Sequence, residues 1–375
     1  MTTTTGFDVA VVGGGLLGSV TALKLAEGGM RAVVIERGSL CRGASGVNAG
    51  TISLQFVEPE AVPYARKGRE LWQRTGEWLG RDLGFVPKGV LTLAFTDAEA
   101  ELLAAQTVER KAAGAPNEIV TLERAREIEP ALSECPVMVS YCPLDGLIPA
   151  NLAGLALGHE LRRAGVEVRE QTPVTGIERS GSGYIVDVDG EPVAAKRIVL
   201  AGGAWLVPMA RWLGFDLPLG CYVNQLIVTE RMAPFLGSTI GVARRRLTCK
   251  QAANGSVLIG GGWQGEGDPQ RGPVGLIPQN LRGNIRLARH CVPALDGARV
   301  VRTWLGLQDK SPDGLPVIGP LPGMDSAFII GCGHSGFTMG PYVARLLADV
   351  ILGREPEMPL FDPARLLRSA PPGTG

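Results

Sequence analysis

Histidine is scarce in this chain, three in 375 residues, and its seven cysteines include no C-x-x-C pair. With so few ligand-type side chains at metal-binding spacing, neither a metal site nor a disulfide framework is expected, and the cysteines read as small apolar fillers. Charge of one sign is also missing: 37 Lys+Arg balance 37 Asp+Glu. Nothing in that balance draws the protein toward nucleic acid or an anionic membrane. No uninterrupted apolar run reaches the about 18 residues that a bilayer span requires. The opening MTTTTGFDVAVVGGG has no basic segment ahead of its apolar stretch, unlike a signal peptide. A cytoplasmic protein is expected, peripheral to a membrane only through a partner, and acting on a small molecule. Glycine, by contrast, is abundant, with 52 residues, about twice the usual share. These glycines lie in no low-complexity tract, so they mark turns and close backbone approaches. The length suggests two domains, at about 150 residues each as a prior.

The run FDVAVV at 7–12 reads as a short buried strand, 19–27 as a helix, and RAVVIE as a second strand ending at Glu36. Between the first strand and the helix, Gly13, Gly15 and Gly18 form G-x-G-x-x-G. Gly13 permits a tight turn, Gly15 lets a pyrophosphate approach the backbone, and Gly18 lets helix and strand pack closely. The helix N-terminus offers N–H donors and a positive dipole end to phosphates. Glu36 lies 18 residues past Gly18, close to the about 20 expected of an acid that accepts from ribose hydroxyls. This is a complete βαβ dinucleotide-binding unit. Two further stretches share the spacing. Gly260, Gly262 and Gly265 run into EGDPQRGP, which cannot start a helix, so they mark a turn. Gly331, Gly333 and Gly336 precede a helix expected to open near Pro341, whose N-terminus could stabilise negative charge developing on a bound ring. No second strand with an acid follows, so one dinucleotide is the economical reading.

That first unit, with GASGVNAG (43–50), IVLAGGAW (198–205), SPDGLPVIG (311–319) and GCGHSGFTMGP (331–341), resembles the FAD-dependent D-amino-acid oxidase family. The resemblance covers nearly the whole chain. It is strongest to the flavin (beta) subunits of bacterial D-hydroxyproline, opine and proline dehydrogenases and to glycine and sarcosine oxidases. It implies an α/β plus α+β fold, in which a Rossmann-like FAD-binding domain of the glutathione-reductase type is interleaved with an antiparallel-sheet substrate domain. The FAD domain would be discontinuous, 1–85, 143–218 and 306–375, with 86–142 and 219–305 forming the substrate domain. The residue pattern agrees: 89–95, 224–230, 245–251 and 256–261 are strand-like, and 59–83 and 151–164 read as helices.

Carried over motif by motif, the resemblance places ADP on Gly13, Gly15, Leu16, Leu17, Gly18, Glu36 and Arg37. Gly43, Ala44, Ser45, Asn48, Ala49 and Gly50 are similar to residues lining the flavin and ribityl chain. The Val174 backbone would hold adenine. Ala201, Gly202 and Trp205 resemble a second ADP-contacting turn, although Trp205 equally suits simple packing. Gly333, His334, Ser335, Gly336, Phe337 and Thr338 would surround the isoalloxazine and ribityl chain.

The reaction implied is oxidation of the C–N bond of an amino acid or secondary amine by hydride transfer to flavin N5, giving an imine. Such chemistry asks little acid–base help from the protein, so no catalytic residue is assigned. Three departures from the family shape the expectation. Covalently flavinylated members carry a cysteine where 303–313 has none, so FAD is expected to be non-covalent. The strand SVLIGG lacks the lysine that oxidases place over the flavin, which favours a dehydrogenase passing electrons to a non-oxygen acceptor; Lys250 and Lys310 are the remaining lysine candidates. The family then implies a second subunit carrying FMN, FAD or an iron–sulfur centre, since this chain has no cysteine cluster for one. Thirdly, Gln308 stands where amino-acid oxidases have a carboxylate-binding arginine. Substrate contacts are therefore sought at Gln308, Arg302, Tyr222 and the run 244–246, with Arg245 as its representative, although that run also suits a solvated strand edge. The alternatives are a stand-alone glycine- or sarcosine-type oxidase producing hydrogen peroxide and, from another class, an FAD-carrying relay or assembly subunit without its own substrate.

Overall fold

Strand Phe7–Val12 lies at the middle of a mixed sheet, parallel to Ala32–Ile35 on one side and Val193–Leu200 on the other. Val9 and Val11 pack into one apolar cluster while Ala10 and Val12 pack into another, which is why the run is apolar at nearly every position. The computed structural model describes residues 6–369 except Arg246 and the side chain of Arg245. Glu167–Arg169 extends the sheet beyond Ala32–Ile35. On its other flank, Val193–Leu200 has two neighbours: its first half pairs with Gly183–Val188, and its second half runs parallel to Met324–Gly331. The Rossmann-like domain is thus assembled from three separated stretches of chain.

Helices Leu16–Glu27, Ala150–Arg163 and Gly336–Ile351 contribute to the core on the Val9/Val11 face through Leu23, Leu157, Leu161, Leu346 and Leu347. The last helix opens at Gly336, five residues earlier than the position of Pro341 suggests. Proline has no N–H for the carbonyl four residues back. Here that carbonyl belongs to Phe337, and Trp72 donates its Nε1–H to it at 2.7 Å while stacking on the Phe337 ring. A partner from another helix removes the usual cost of an interior proline. The stretch 59–83 also differs from the single helix expected. It divides into a 3-10 turn Pro59–Ala61 and helices Val62–Gln73 and Thr75–Trp78, and Trp78 Nε1 takes the carbonyl of Leu71 where the first helix ends.

The second sheet holds eight strands in the order Val300–Lys310, Gly220–Arg231, Ser256–Gly260, Leu247–Gln251, Thr239–Val242, Val90–Ala94, Met138–Cys142 and Glu118–Val120. All neighbours are antiparallel except Thr239–Val242 with Val90–Ala94. Ile227, Ile240, Cys249, Val257 and Ile259 bury one face against Ala288 and Cys291 of helix Pro278–Cys291. Alternation turns Asn224, Leu226, Leu258 and Lys250 to the other face. Trp304 on that face donates to the Val47 carbonyl at 2.8 Å, tying the sheet to the Gly-rich segment after the first βαβ unit. Strand Val300–Lys310 runs unbroken through position 306, where a domain boundary was expected. No helix among the described residues is long and apolar enough to cross a membrane.

Candidate active site

One cavity of about 580 Å³ runs from the end of the first βαβ unit to the face of the second sheet. Its nucleotide end is built by backbone demands. Gly13 sits at φ +112°, and a Cβ there would lie 2.4 Å from the Ala201 carbonyl oxygen. A Cβ on Gly15 would meet only Ser45 Oγ, at 3.3 Å, so the space in front of it is open. Helix Leu16–Glu27 has no acidic residue in its first turn and no side-chain cap, although Leu16 N–H reaches Ser45 Oγ at 2.9 Å. An open backbone cradle before an uncapped helix N-terminus fits a diphosphate. Glu36 accepts from the N–H groups of Gly14 (2.7 Å) and Gly38 (2.8 Å), which fixes its carboxylate at the cavity wall. Arg37 lies over the Trp205 ring, 3.4 Å from the centroid, and burial lowers its proton affinity.

Most of the cofactor residues expected from sequence line this one cavity. Leu16, Leu17, Glu36, Arg37, Val174, Ala201, Gly202 and Trp205 lie along it with Gly13 and Gly15. Gly43, Ala44, Ser45 and Asn48 follow, and Gly333, His334, Gly336 and Phe337 close it beside Gln308. Five do not line it. Gly18 packs against the Gly13 backbone and Gly50 against the Ile148 carbonyl. Ala49 and Ser335 also lie outside the wall, and Thr338 Oγ1 accepts from the Ser53 N–H at 3.2 Å instead.

The substrate candidates fare unequally. Gln308 is in the wall, whereas Arg302 is exposed on the same strand six residues away, too far along an extended backbone to share its position. Tyr222 sits directly opposite Gln308 in the sheet but does not line the cavity; its ring carries the Lys310 ammonium 4.8 Å from the centroid. The Arg245 side chain and Arg246 lie outside the described residues. Sequence reasoning missed Asn224 and Leu226, which join Gly306 and Gln308 on the sheet wall. Only the alternation of strand 220–231 could have singled them out.

Three buried ionisable groups frame this end. Asp309 has its carboxyl pushed up by burial and accepts from Gly333 N–H at 3.1 Å, under the loop that closes the cavity. Asp145, fully buried, accepts from Ser53 Oγ, Leu54 N–H and Cys142 Sγ, and desolvation lifts its carboxyl to about 6. Lys250 is 1% exposed; burial lowers its ammonium to about 7, and Nζ donates to Thr51 Oγ1 just after the Gly43–Gly50 segment. Lys250 therefore supplies a lysine close to the Gly-rich segment, on the strand beside the one searched, although it does not line the cavity. Of the cysteines, Cys41 and Cys332 line the cavity, and burial raises Cys41 to about 12 and Cys332 well above its ordinary value. Neither forms a thiolate near neutral pH, which argues against covalent attachment of a cofactor through sulfur. Among the described residues there is no cluster of His, Cys, Asp and Glu able to hold a metal ion.

Comparison with known proteins agrees with this site. Residues 8–350 match the DAO family of FAD dependent oxidoreductases. The chain is 30% identical to a glycine oxidase of Pseudomonas aeruginosa, with 95% of this chain and 97% of that one covered. It is 28% identical to an opine oxidase subunit of Agrobacterium tumefaciens, with coverage of 96% and 97%. The crystal structure of glycine oxidase from Geobacillus kaustophilus superposes with a TM-score of 0.86 at 28% identity, covering 95% of this chain and 97% of that one.

Proposed function

Because the chain belongs to the DAO family of FAD-dependent oxidoreductases, we propose that it oxidises the C–N bond of a small amino acid or secondary amine, of the D-hydroxyproline or opine kind, and passes the electrons to a partner subunit. The observation that carries this reading is the continuity of the cavity: a dinucleotide cradle opens directly onto an uncharged polar wall formed by Asn224 and Gln308 beside His334. When bound, the flavin supplies the two-electron acceptor. Gly13, Gly15 and the helix N-terminus hold its diphosphate, Glu36 its ribose, and the segments 43–48 and 333–337 its flavin end. The second sheet covers that end and, with Leu226 and Gln308, orients the substrate and excludes water. Neutral amides suit an amine that must lose its proton before oxidation, since they do not stabilise the ammonium as a carboxylate would. An acceptor other than oxygen is supported by the absence of a lysine from strand Ser256–Gly260 and by the likeness to a protein named as a subunit.

A stand-alone oxidase is the second reading, favoured by the likeness to glycine oxidases and by Lys250 behind Thr51. Anaerobic bleaching of the flavin by glycine, sarcosine, L- and D-proline, D-hydroxyproline and opines tests both, followed by admission of air. Bleaching that persists in air and reverses with an artificial dye supports the partner-dependent enzyme. Rapid recolouring with peroxide supports the oxidase, and no bleaching by any amine overturns both in favour of a relay subunit.

A further inference from the structure

The sheet wall of the cavity carries a chain of hydrogen bonds whose direction is set by a backbone carbonyl. Gln264 Nε2 donates to the Gly261 carbonyl at 3.1 Å and to Asn224 Oδ1 at 3.0 Å. A peptide carbonyl can only accept, so the end of Gln264 that faces it must be nitrogen. Asn224 then meets Gln264 with its oxygen and turns Nδ2 toward Gln308 Oε1, 3.1 Å away. Gln308, its oxygen occupied, presents Nε2 to His334 Nδ1 at 3.3 Å. The anchor is itself held: Asn280 Nδ2 donates to the Gln264 carbonyl at 2.6 Å. This orientation leaves Gln264 Oε1 buried with no partner among the described residues. Such an atom is costly, which indicates that the bonds on its nitrogen outweigh it.

We propose that Gln264 and Asn224 are positioning residues which, through Gln308, fix His334 as the neutral imidazole with its proton on Nε2. An amide nitrogen facing Nδ1 demands a lone pair there, so both the Nδ1–H tautomer and the imidazolium are disfavoured. The wall is thereby polarised in one sense. The Gln308 oxygen is turned into the sheet, and what this residue and His334 have left to offer is N–H, a donor surface for an acceptor such as a carboxylate oxygen. That last consequence rests on the proposed amino-acid substrate; the tautomer does not.

The chain has three histidines, His159, His290 and His334, so the imidazole ¹⁵N spectrum of the FAD-loaded protein is simple. His334→Gln identifies the His334 signals by their loss. The expected spectrum has a pyridine-type Nδ1 and a pyrrole-type Nε2. In Asn224→Asp the central residue can only accept, so Gln308 must turn over, place its oxygen against Nδ1 and exchange the two nitrogen shifts. Gln264→Met removes the anchor and should give a mixture of tautomers. A protonated Nδ1 in the parent protein, or an unchanged tautomer in Asn224→Asp, overturns the inference. If Asn224→Asp does not fold, the parent spectrum and Gln264→Met still decide. Flavin bleaching is scored separately: the expected tautomer in a protein that no amine bleaches would sink the substrate reading and leave this inference standing.

Discussion

Replacing Lys250 with methionine should make the protein more stable at neutral pH and leave it little changed at high pH. An ordinary lysine titrates near 10.5, and burial brings Lys250 down to about 7. Keeping that side chain in the folded state at about pH 7 therefore costs on the order of 4 kcal/mol. A base depressed by folding contributes its full stability only above its unfolded value and loses it as pH falls toward the folded one. The penalty is thus small above 10.5, grows as pH falls, and levels off below about 7. Methionine has a similar length and no charge, and it forfeits the hydrogen bond to Thr51, worth about 1 kcal/mol. The net gain at neutral pH is about 3 kcal/mol. Urea unfolding in saturating FAD reads this as a higher midpoint for Lys250→Met near neutrality that converges on the parent toward about pH 10. A midpoint at or below the parent's at neutral pH, or an advantage that does not shrink as pH rises, would refute the reasoning.

Asp145 has the opposite sign: its carboxyl is raised from 3.8 to about 6, so its contribution is intact below 3.8 and is lost as pH rises through about 6. Against Asp145→Asn, the parent should lose about 3 kcal/mol across that window, and parallel pH–stability curves for the two proteins would contradict this. Trp72→Phe keeps a ring against Phe337 but removes the donor to its carbonyl; unfolding should become easier by about 1–3 kcal/mol, and an unchanged urea midpoint would show that the bond contributes nothing. Gly15→Ala meets only Ser45 Oγ, so the chain should fold while the methyl group intrudes on the diphosphate, weakening FAD about tenfold or more in a fluorescence titration of apoprotein. Unaltered affinity would place the diphosphate elsewhere.

The nucleotide end of the site was legible in the sequence because its requirements fall on the backbone within one short stretch. Gly13 must adopt a positive φ beside Ala201, and Glu36 must end the second strand, so residue type and spacing carry the message directly. The substrate end was not, because its wall comes from cross-strand neighbours. Asn224 acquires meaning only once strand 220–231 is paired with strand 300–310 and the loop containing Gln264 folds over it. Lys250 was overlooked for a related reason: it stands on the strand next to the one searched, and only its contact with Thr51, 199 residues away, brings it near the Gly-rich segment. Pro341 misled because local rules treat proline as a helix opener, whereas a tryptophan far away in sequence makes an interior position tolerable.

The parallel sheet that carries the nucleotide site has a consequence for how the protein is made. Val193–Leu200 must stand between Phe7–Val12 and Met324–Gly331, and helix Gly336–Ile351 then packs against Leu16–Glu27. Pairings over such separations form late, because loop closure has to precede the contacts that reward it. A nascent chain that has not yet extended past residue 331 holds the G-x-G-x-x-G turn but lacks both the strand and the loop that complete the flavin end. Cofactor capture is therefore a step that follows synthesis of most of the polypeptide, and until then the faces of strand Val193–Leu200 and helix Leu16–Glu27 awaiting their partners remain apolar surface for chaperones to shield.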